Sequence, residues 1–77
     1  MISYEQRVAN MNKPGDEDEQ LRLSKQYAKS LHYKAKAGKT LEDKIQLQKV
    51  AKEADSVTHK LRQNIFDLED MLYKNAS

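Results

Sequence analysis

The chain has 77 residues, of which 34% are charged, a net charge of +2 and no cysteine. One small domain is the most that this length supports, and without cysteine neither a disulfide framework nor a thiolate metal site can stabilise it. No stretch approaches the ~20 apolar residues of a membrane span, and the N-terminus lacks a secretory pattern. We therefore expect a cytoplasmic protein with no membrane partner.

The first predicted helix covers about residues 3–12. Ser3 followed three positions later by Gln6 is the pattern of a capping box, in which each residue caps the backbone of the other. Apolar side chains then recur at i, i+4 and i+7 on one face of the helix: Tyr4, Val8 and Met11. Pro14 and Gly15 end this segment, because the residue before proline avoids helical angles and glycine tolerates a positive φ.

The second predicted helix covers about residues 17–37. Asp16 is a favourable N-cap with Glu19 in the reciprocal position. The four consecutive acids at 16–19 suit the positive end of the helix dipole, so we interpret them as a first helical turn rather than a cation site. Gly38 fits the position just beyond the C-terminus of this helix.

The third predicted helix runs from about residue 41 to 74, with Thr40 as its cap. Its ~34 residues would span ~50 Å, a length typical of coiled-coil-like helices. Gly38, Lys39 and Thr40 match the end of a phosphate-binding loop, but Tyr33 occupies the position of that motif's first glycine and no strand precedes it. The triplet is therefore interpreted as a turn between helices, and nucleotide binding is not expected.

Apolar spacing predicts that the second and third helices form an antiparallel hairpin. A turn at Gly38 would place Ala28 near Ala51 and Ser24 near Ala54, so that small residues face small residues close to the turn. Larger side chains follow toward the open end, where the first helix would cover the end of the third. The seam residues are Leu21, Ser24, Ala28, Leu31 and Ala35 on the second helix, and Ala51, Ala54, Thr58, Leu61, Ile65, Leu68 and Leu72 on the third.

A further set of apolar residues has no partner in this hairpin. An apolar arc this wide usually contacts more than one neighbour, and a two-helix hairpin cannot bury all of it. We therefore predict an all-α homodimer that forms a four-helix-type bundle, or docking onto another protein; the alternative is a monomeric three-helix bundle. The predicted partner-binding residues are Leu23, Tyr27, Leu47, Val50, Val57, Phe66 and Tyr73.

Positive charge is concentrated around the predicted turn. Residues 22–52 carry nine positive and two negative side chains, whereas both flanking segments are net negative. Such a surface favours nucleic acid or an acidic protein, and an exposed aromatic residue could stack on bases. The residues expected to make such contacts are Lys29, Tyr33, Lys34, Lys36, Lys39 and Lys44.

No residue pattern predicts catalysis or a cofactor. His32 and His59 are 27 positions apart, which is not a zinc-ligand spacing. A narrow helical hairpin also offers little of the concave, water-excluding pocket that an enzyme needs. We therefore expect no enzyme, no metal, no cofactor and no small-molecule substrate.

Three functions agree with these patterns. The first is a non-enzymatic protein–protein interaction module, acting as an adaptor, inhibitor or regulator through exposed helix faces. The second is a nucleic-acid-binding protein that uses the lysine-rich turn. The third is a structural component of a larger assembly, which the sequence does not separate from an adaptor.

Overall fold

The computed structural model describes residues 2–76, so Met1 and Ser77 of the predicted single domain lie outside the described residues. The described segment is all-helical, without strands, and its helices are α1 Tyr4–Ala9, α2 Asp16–Lys36, α3 Leu41–Gln63 and α4 Ile65–Ala76. Its Cα atoms occupy an elongated volume of 52 × 16 × 14 Å. Within residues 2–76, no helix has the length and apolar character required to cross a bilayer.

Helix α1 begins with the predicted capping box. The Ser3 hydroxyl accepts from the Gln6 backbone N–H at 3.2 Å, and Gln6 Oε1 accepts from the Ser3 N–H at 2.8 Å. The helix ends at Ala9, three residues earlier than the sequence pattern predicts, where the Asn10 N–H bonds back to the Arg7 carbonyl. Six residues cannot hold a helix in water alone, so α1 depends on its packing against the rest of the chain.

The start of α2 differs from the prediction. Gly15, not Asp16, is the N-cap, and its φ of 101° is one that glycine adopts without steric cost. Asp16 is the first helical residue and its carboxylate reaches backward, accepting from the N–H groups of Asn12 at 2.8 Å and Lys13 at 3.2 Å. The hydrogen bond from Asn12, followed by that from Lys13, lowers the pKa of Asp16. This carboxylate therefore holds the α1–α2 loop against the helix.

The acidic run does occupy the first turn of α2, as predicted. Its members have separate roles. Glu17 is buried and accepts from the Gly15 N–H at 2.9 Å, whereas Glu19 pairs with Arg22 instead of closing a capping box with Asp16. Asp16 and Glu17 therefore bind backbone N–H groups, and Glu19 binds the Arg22 side chain.

Helices α2 and α3 pack along each other as the predicted hairpin and make most of the contacts between helices. Thr40 caps α3 by accepting from the Asp43 N–H at 3.1 Å. Gly38 follows the C-cap residue Ala37 but does not take a positive φ. A Cβ atom at Gly38 would lie 2.9 Å from Lys44 Cγ. The absence of a side chain at Gly38 therefore allows the turn to lie close to the first turn of α3.

Small residues bring α2 and α3 together near the turn. Ala28, Leu31, Ala51 and Ala54 form one buried cluster, and Ala51 is fully buried. This confirms the predicted approach of small residues. Ser24 also bonds to Thr58, whose hydroxyl donates to the Ala54 carbonyl.

Larger side chains fill the open end of the hairpin. Met11, Leu61, Leu68 and Leu72 form a second buried cluster, as the predicted covering of the third helix by the first requires. Partly buried apolar residues pack around it: Tyr4, Val8, Leu21 and Val57. The core therefore widens from alanine near the turn to leucine and methionine at the other end.

The third helix is not continuous to residue 74, contrary to the prediction. It stops at Gln63, and α4 starts at Ile65. The intervening Asn64 has φ −103° and ψ 10°, and its side-chain amide donates to the Lys60 carbonyl at 3.0 Å and to the Tyr4 hydroxyl at 3.4 Å. Asparagine side chains compete in this way for backbone groups, which explains a break at this residue.

Candidate functional site

Large apolar side chains lie on the outside of the finished fold at both ends of the hairpin. Near the turn, Leu41 is 74% exposed and Ile45 is 58% exposed. On α4, Phe66 is 80% exposed and Tyr73 is 58% exposed. Singly exposed apolar residues are common on proteins, but a set that shares one helix face indicates an interaction surface.

The structure separates the predicted partner-binding residues into two groups. Phe66 and Tyr73 are exposed, as a contact with a partner requires. The other five are half-buried within the single chain, which leaves each of them a smaller surface for a partner: Leu23, Tyr27, Leu47, Val50 and Val57. In this second group Tyr27 and Val50 pack on the alanine-rich cluster and Val57 packs on the leucine cluster, so these three have a role in the fold.

Leu41 and Ile45 were not among the residues that the sequence analysis selected. Given 100° per residue, Leu41 lies about 110° and Ile45 about 150° from the mean direction of Ala51 and Ala54, which pack against α2. The sequence alone could have placed the two missed residues on the same face as Phe66 and Tyr73. The four residues are 21 to 32 positions apart, and these separations are sums of alternating steps of three and four residues, which stay on one side of a helix. The predicted hairpin placed the contacts of the third helix on its opposite side, so Leu41 and Ile45 were not assigned to an interface.

The lysines predicted to contact nucleic acid gather around the turn and are exposed: Lys29, Lys34, Lys36, Lys39 and Lys44. Tyr33, 77% exposed, lies on the outer face of α2. Together with Lys29 and Lys34, it lines a shallow depression of about 380 Å³. The turn therefore presents an aromatic ring beside positive charge.

A second shallow depression, of about 410 Å³, lies beside the start of α3 and is lined by Glu42, Asp43, Ile45 and Gln46. Its acids belong to the first turn of the helix, where they complement the dipole. Both depressions are open to solvent. Neither offers the enclosed surface that buries most of a small ligand.

A buried polar contact joins α1 to α2, and it was missed from the sequence. Arg7 is only 5% exposed, and its guanidinium donates to Gln20 Oε1 at 3.2 Å and lies 5.9 Å from the centre of the Tyr27 ring. Its buried Nε has no partner. Desolvation lowers the pKa of Arg7, and the nearby Tyr27 opposes this effect. Arg7, Gln20 and Tyr27 line neither of the two depressions, and we interpret their contact as structural.

The two histidines lie on the surface. His32 Nε2 donates to Asp55 Oδ2 at 2.7 Å across the hairpin, with both side chains about half exposed (47% and 53%). His59 is exposed on α3. Among residues 2–76, no cluster of three or more histidine or acidic side chains has the arrangement of a metal site.

Comparison of this chain with protein-family models, with curated proteins and with solved structures finds no match.

Proposed function

We propose that this chain is a non-enzymatic protein–protein interaction module that self-associates through exposed helix faces. In the cell it would act as an adaptor, inhibitor or regulator in the cytoplasm. The observation that supports this proposal is the set of large apolar side chains outside a closed core: Leu41, Ile45, Phe66 and Tyr73.

The core is closed without these four side chains. Leu61 and Ala51 are fully buried and Leu72 is 1% exposed, so the two apolar clusters need no further cover. Burial of one leucine, isoleucine or phenylalanine side chain contributes about 1.5–3 kcal/mol. A partner that covers four such residues per chain gains enough free energy to offset the loss of freedom on association.

The non-enzymatic part of the proposal is supported by the shape of the chain. Cα extents of 16 and 14 Å across the hairpin correspond to about two helices side by side, because helix axes pack 8–10 Å apart. Such a thin body has no room for a catalytic pocket inside it. The depressions on its surface are shallow and open.

The test is the mass of the protein in solution over a wide range of concentration, measured by light scattering. We expect a dimer that dissociates on dilution. Ile45→Asp places a charge on the exposed apolar face and should yield a monomer with unchanged helix content. Gln46→Asp introduces the same charge at the next, exposed position and should leave the dimer intact. A wild-type chain that stays monomeric at every concentration would refute self-association.

Nucleic-acid binding is a second candidate, favoured by Tyr33 between Lys29 and Lys34 on the outer face of α2. Positive charge releases counterions from phosphates, and an exposed ring can stack on bases. Fluorescence anisotropy with a labelled single-stranded oligonucleotide tests it. Binding should weaken steeply with salt and disappear when Lys34, Lys36, Lys39 and Lys44 are replaced by glutamate. No binding at low salt would exclude this candidate.

A further inference from the structure

Four exposed apolar residues of α3 and α4, Leu41, Ile45, Phe66 and Tyr73, belong to one stripe that runs the length of the hairpin, whereas Met71, 37% exposed, lies outside it. Its members follow one another at intervals of three or four residues, which keeps them on one side of a helix. Nine of the ten are exposed and one is half-buried. We call this set the outer stripe: Leu41, Ile45, Gln48, Lys52, Asp55, His59, Arg62, Phe66, Glu69 and Tyr73.

The break at Asn64 does not rotate the stripe out of line. Leu61 on α3 and Leu68 and Leu72 on α4 belong to the same buried cluster, at spacings of seven and four. The inward face of the helix therefore keeps its register across the break. The outward face keeps it as well, so Phe66 and Tyr73 lie on the same side of the hairpin as Leu41 and Ile45.

The outer stripe is apolar at its two ends and polar between them. Leu41 and Ile45 lie near the turn, and Phe66 and Tyr73 lie about 30–48 Å further along at 1.5 Å per residue. The five positions from Gln48 to Arg62 are all polar or charged. A flat apolar partner would have to bury this charged centre, which is costly.

Charge also differs between the two ends. Residues 29–49, around the turn, contain six lysines and two acids, net +4. Residues 3–20 and 65–75, at the open end, together contain eight acids and three basic residues, net −5. Opposite ends of two copies attract each other, whereas like ends repel.

We infer that the occupant of the outer stripe is a second copy of this chain, lying antiparallel to the first about a two-fold axis. This inference rests on the proposed self-association and adds its orientation. The apolar end near the turn of one copy then packs against the α4 end of the other, with Leu41 opposite Tyr73 and Ile45 one turn away from Phe66. Both apolar contacts form at once, because a two-fold axis repeats each contact.

The centre of the outer stripe supports the same orientation. In a parallel pair in register, each charged residue meets its own copy: Lys52 meets Lys52, and Asp55 meets Asp55. In the antiparallel pair with Leu41 opposite Tyr73, Asp55 meets His59 of the second copy and Lys52 meets Arg62. The parallel pair has four such like-charge contacts, at residues 52, 55, 62 and 69, whereas the antiparallel pair has two, Lys52 with Arg62 and its symmetry mate. Like charges that face each other are destabilising, so the antiparallel arrangement is favoured.

Spin labels on single cysteines test the orientation, because the native chain has no cysteine to remove. Ser56→Cys lies near the centre of the stripe and Gln46→Cys lies near one end. With Leu41 opposite Tyr73, the two-fold axis passes near position 57. Each label at 46 lies 11 residues from this axis, so the two labels are separated by about 33 Å along the helices, at 1.5 Å per residue. The labels at 56 are separated mainly by the helix spacing of about 8–10 Å and the reach of the labels.

The outcomes of double electron–electron resonance are distinct. A long distance at 46 and a short one at 56 supports the antiparallel dimer. Short distances at both positions, in a protein that light scattering shows to be dimeric, overturn the orientation and leave self-association standing. No dipolar signal together with a monomeric mass overturns both proposals.

Salt gives an independent readout of orientation. The antiparallel dimer joins opposite charges, so its dissociation constant should rise as sodium chloride is added. A parallel dimer joins like charges, and its dissociation constant should fall over the same range. Sedimentation equilibrium at low and moderate salt measures this sign, and tightening with salt would contradict the inference.

Discussion

The Oγ of Ser24 lies 2.6 Å from the Oγ1 of Thr58, and this hydrogen bond connects α2 to α3 near the middle of the hairpin. Thr58 donates its single hydroxyl proton to the Ala54 carbonyl at 3.2 Å, so Ser24 is the donor between the two hydroxyls. Ser24 is 2% exposed. A buried donor of this kind fixes the register of the two helices, since a shift by one residue would leave it without an acceptor.

Removal of either hydroxyl should destabilise the fold, and removal of both should cost less than the sum. Ser24→Ala deletes one hydrogen bond, worth about 0.5–1.5 kcal/mol. Thr58→Val leaves the Ser24 donor buried without this acceptor, which costs about 1–3 kcal/mol. Urea unfolding of the two single variants and the double variant measures the coupling. Additive effects would show that the two hydroxyls act independently.

Mutation of Gln20 should destabilise the fold more than mutation of Arg7. Gln20→Leu removes the described acceptor of a buried guanidinium, and bonds to charged groups are worth about 1.5–3 kcal/mol. Arg7→Met removes the cation and its desolvation cost together, so we expect stability within about 1 kcal/mol of wild type, or above it. The double variant should recover most of the loss caused by Gln20→Leu. A large loss for Arg7→Met alone would show that the guanidinium itself stabilises the α1–α2 contact.

Gly15 should not tolerate a β-carbon, although there is space for one. No atom lies within 4 Å of the position that a Cβ would take, so the effect of Gly15→Ala comes from the backbone alone. At a φ of 101° we expect a loss of about 1–3 kcal/mol. Gly15→Asn should cost less, because asparagine adopts positive φ more readily than alanine. Thermal unfolding compares the two, and an equal loss in both variants would contradict this reasoning.

Asp16 should make the fold sensitive to acid. Its pKa is lowered by the Asn12 N–H in the folded chain, from an ordinary value of 3.8. A carboxyl with a lowered folded pKa stabilises above its unfolded pKa, and that contribution is lost as pH falls through the folded pKa. Asp16→Asn should therefore melt below wild type at neutral pH, and the difference should vanish in strong acid. A difference that stays constant with pH would assign the effect to packing rather than charge.

Ala51 should resist enlargement. It is fully buried in the cluster with Ala28 and Leu31 of α2, so Ala51→Leu forces the helices apart at a cost of about 1–3 kcal/mol. Ala9→Leu makes the same change at an exposed position of α1 and serves as the control. Urea unfolding should show a loss for the first variant and little change for the second. If Ala51→Leu leaves the free energy of unfolding unchanged, α2 and α3 can move apart at this position without cost, and the prediction is wrong.

Much of the fold could be predicted, because its signals are local or periodic. The Ser3–Gln6 box, the Thr40 cap and the turn after Ala37 follow from residue types at fixed spacing. The widening core follows from alanines near the turn and leucines beyond it. The Gly15 cap was assigned instead to Asp16, since both residues suit a helix start and only the backbone path distinguishes them.

Less of the candidate site could be predicted. Phe66 and Tyr73 were selected and are exposed, whereas Tyr27, Val50 and Val57 pack within the chain. Leu41 and Ile45 were missed although their spacing is present in the sequence. Apolar periodicity shows that a face is apolar, but whether that face is covered depends on how the neighbouring helices are placed.

The sequence alone determines that the chain is helical, that it turns near Gly38 and that its two ends carry opposite charge. Helix propensity, capping and charge are properties of residue types and their spacing. Tertiary structure alone decided that Asn64 reaches the Tyr4 hydroxyl, that Arg7 is buried and that the outer stripe stays uncovered. Each of these depends on where α1 lies: Tyr4 contacts Asn64, Arg7 reaches Gln20, and α1 covers one side of the hairpin rather than the other. Contacts between residues 13 to 60 positions apart contribute free energies that no local pattern contains.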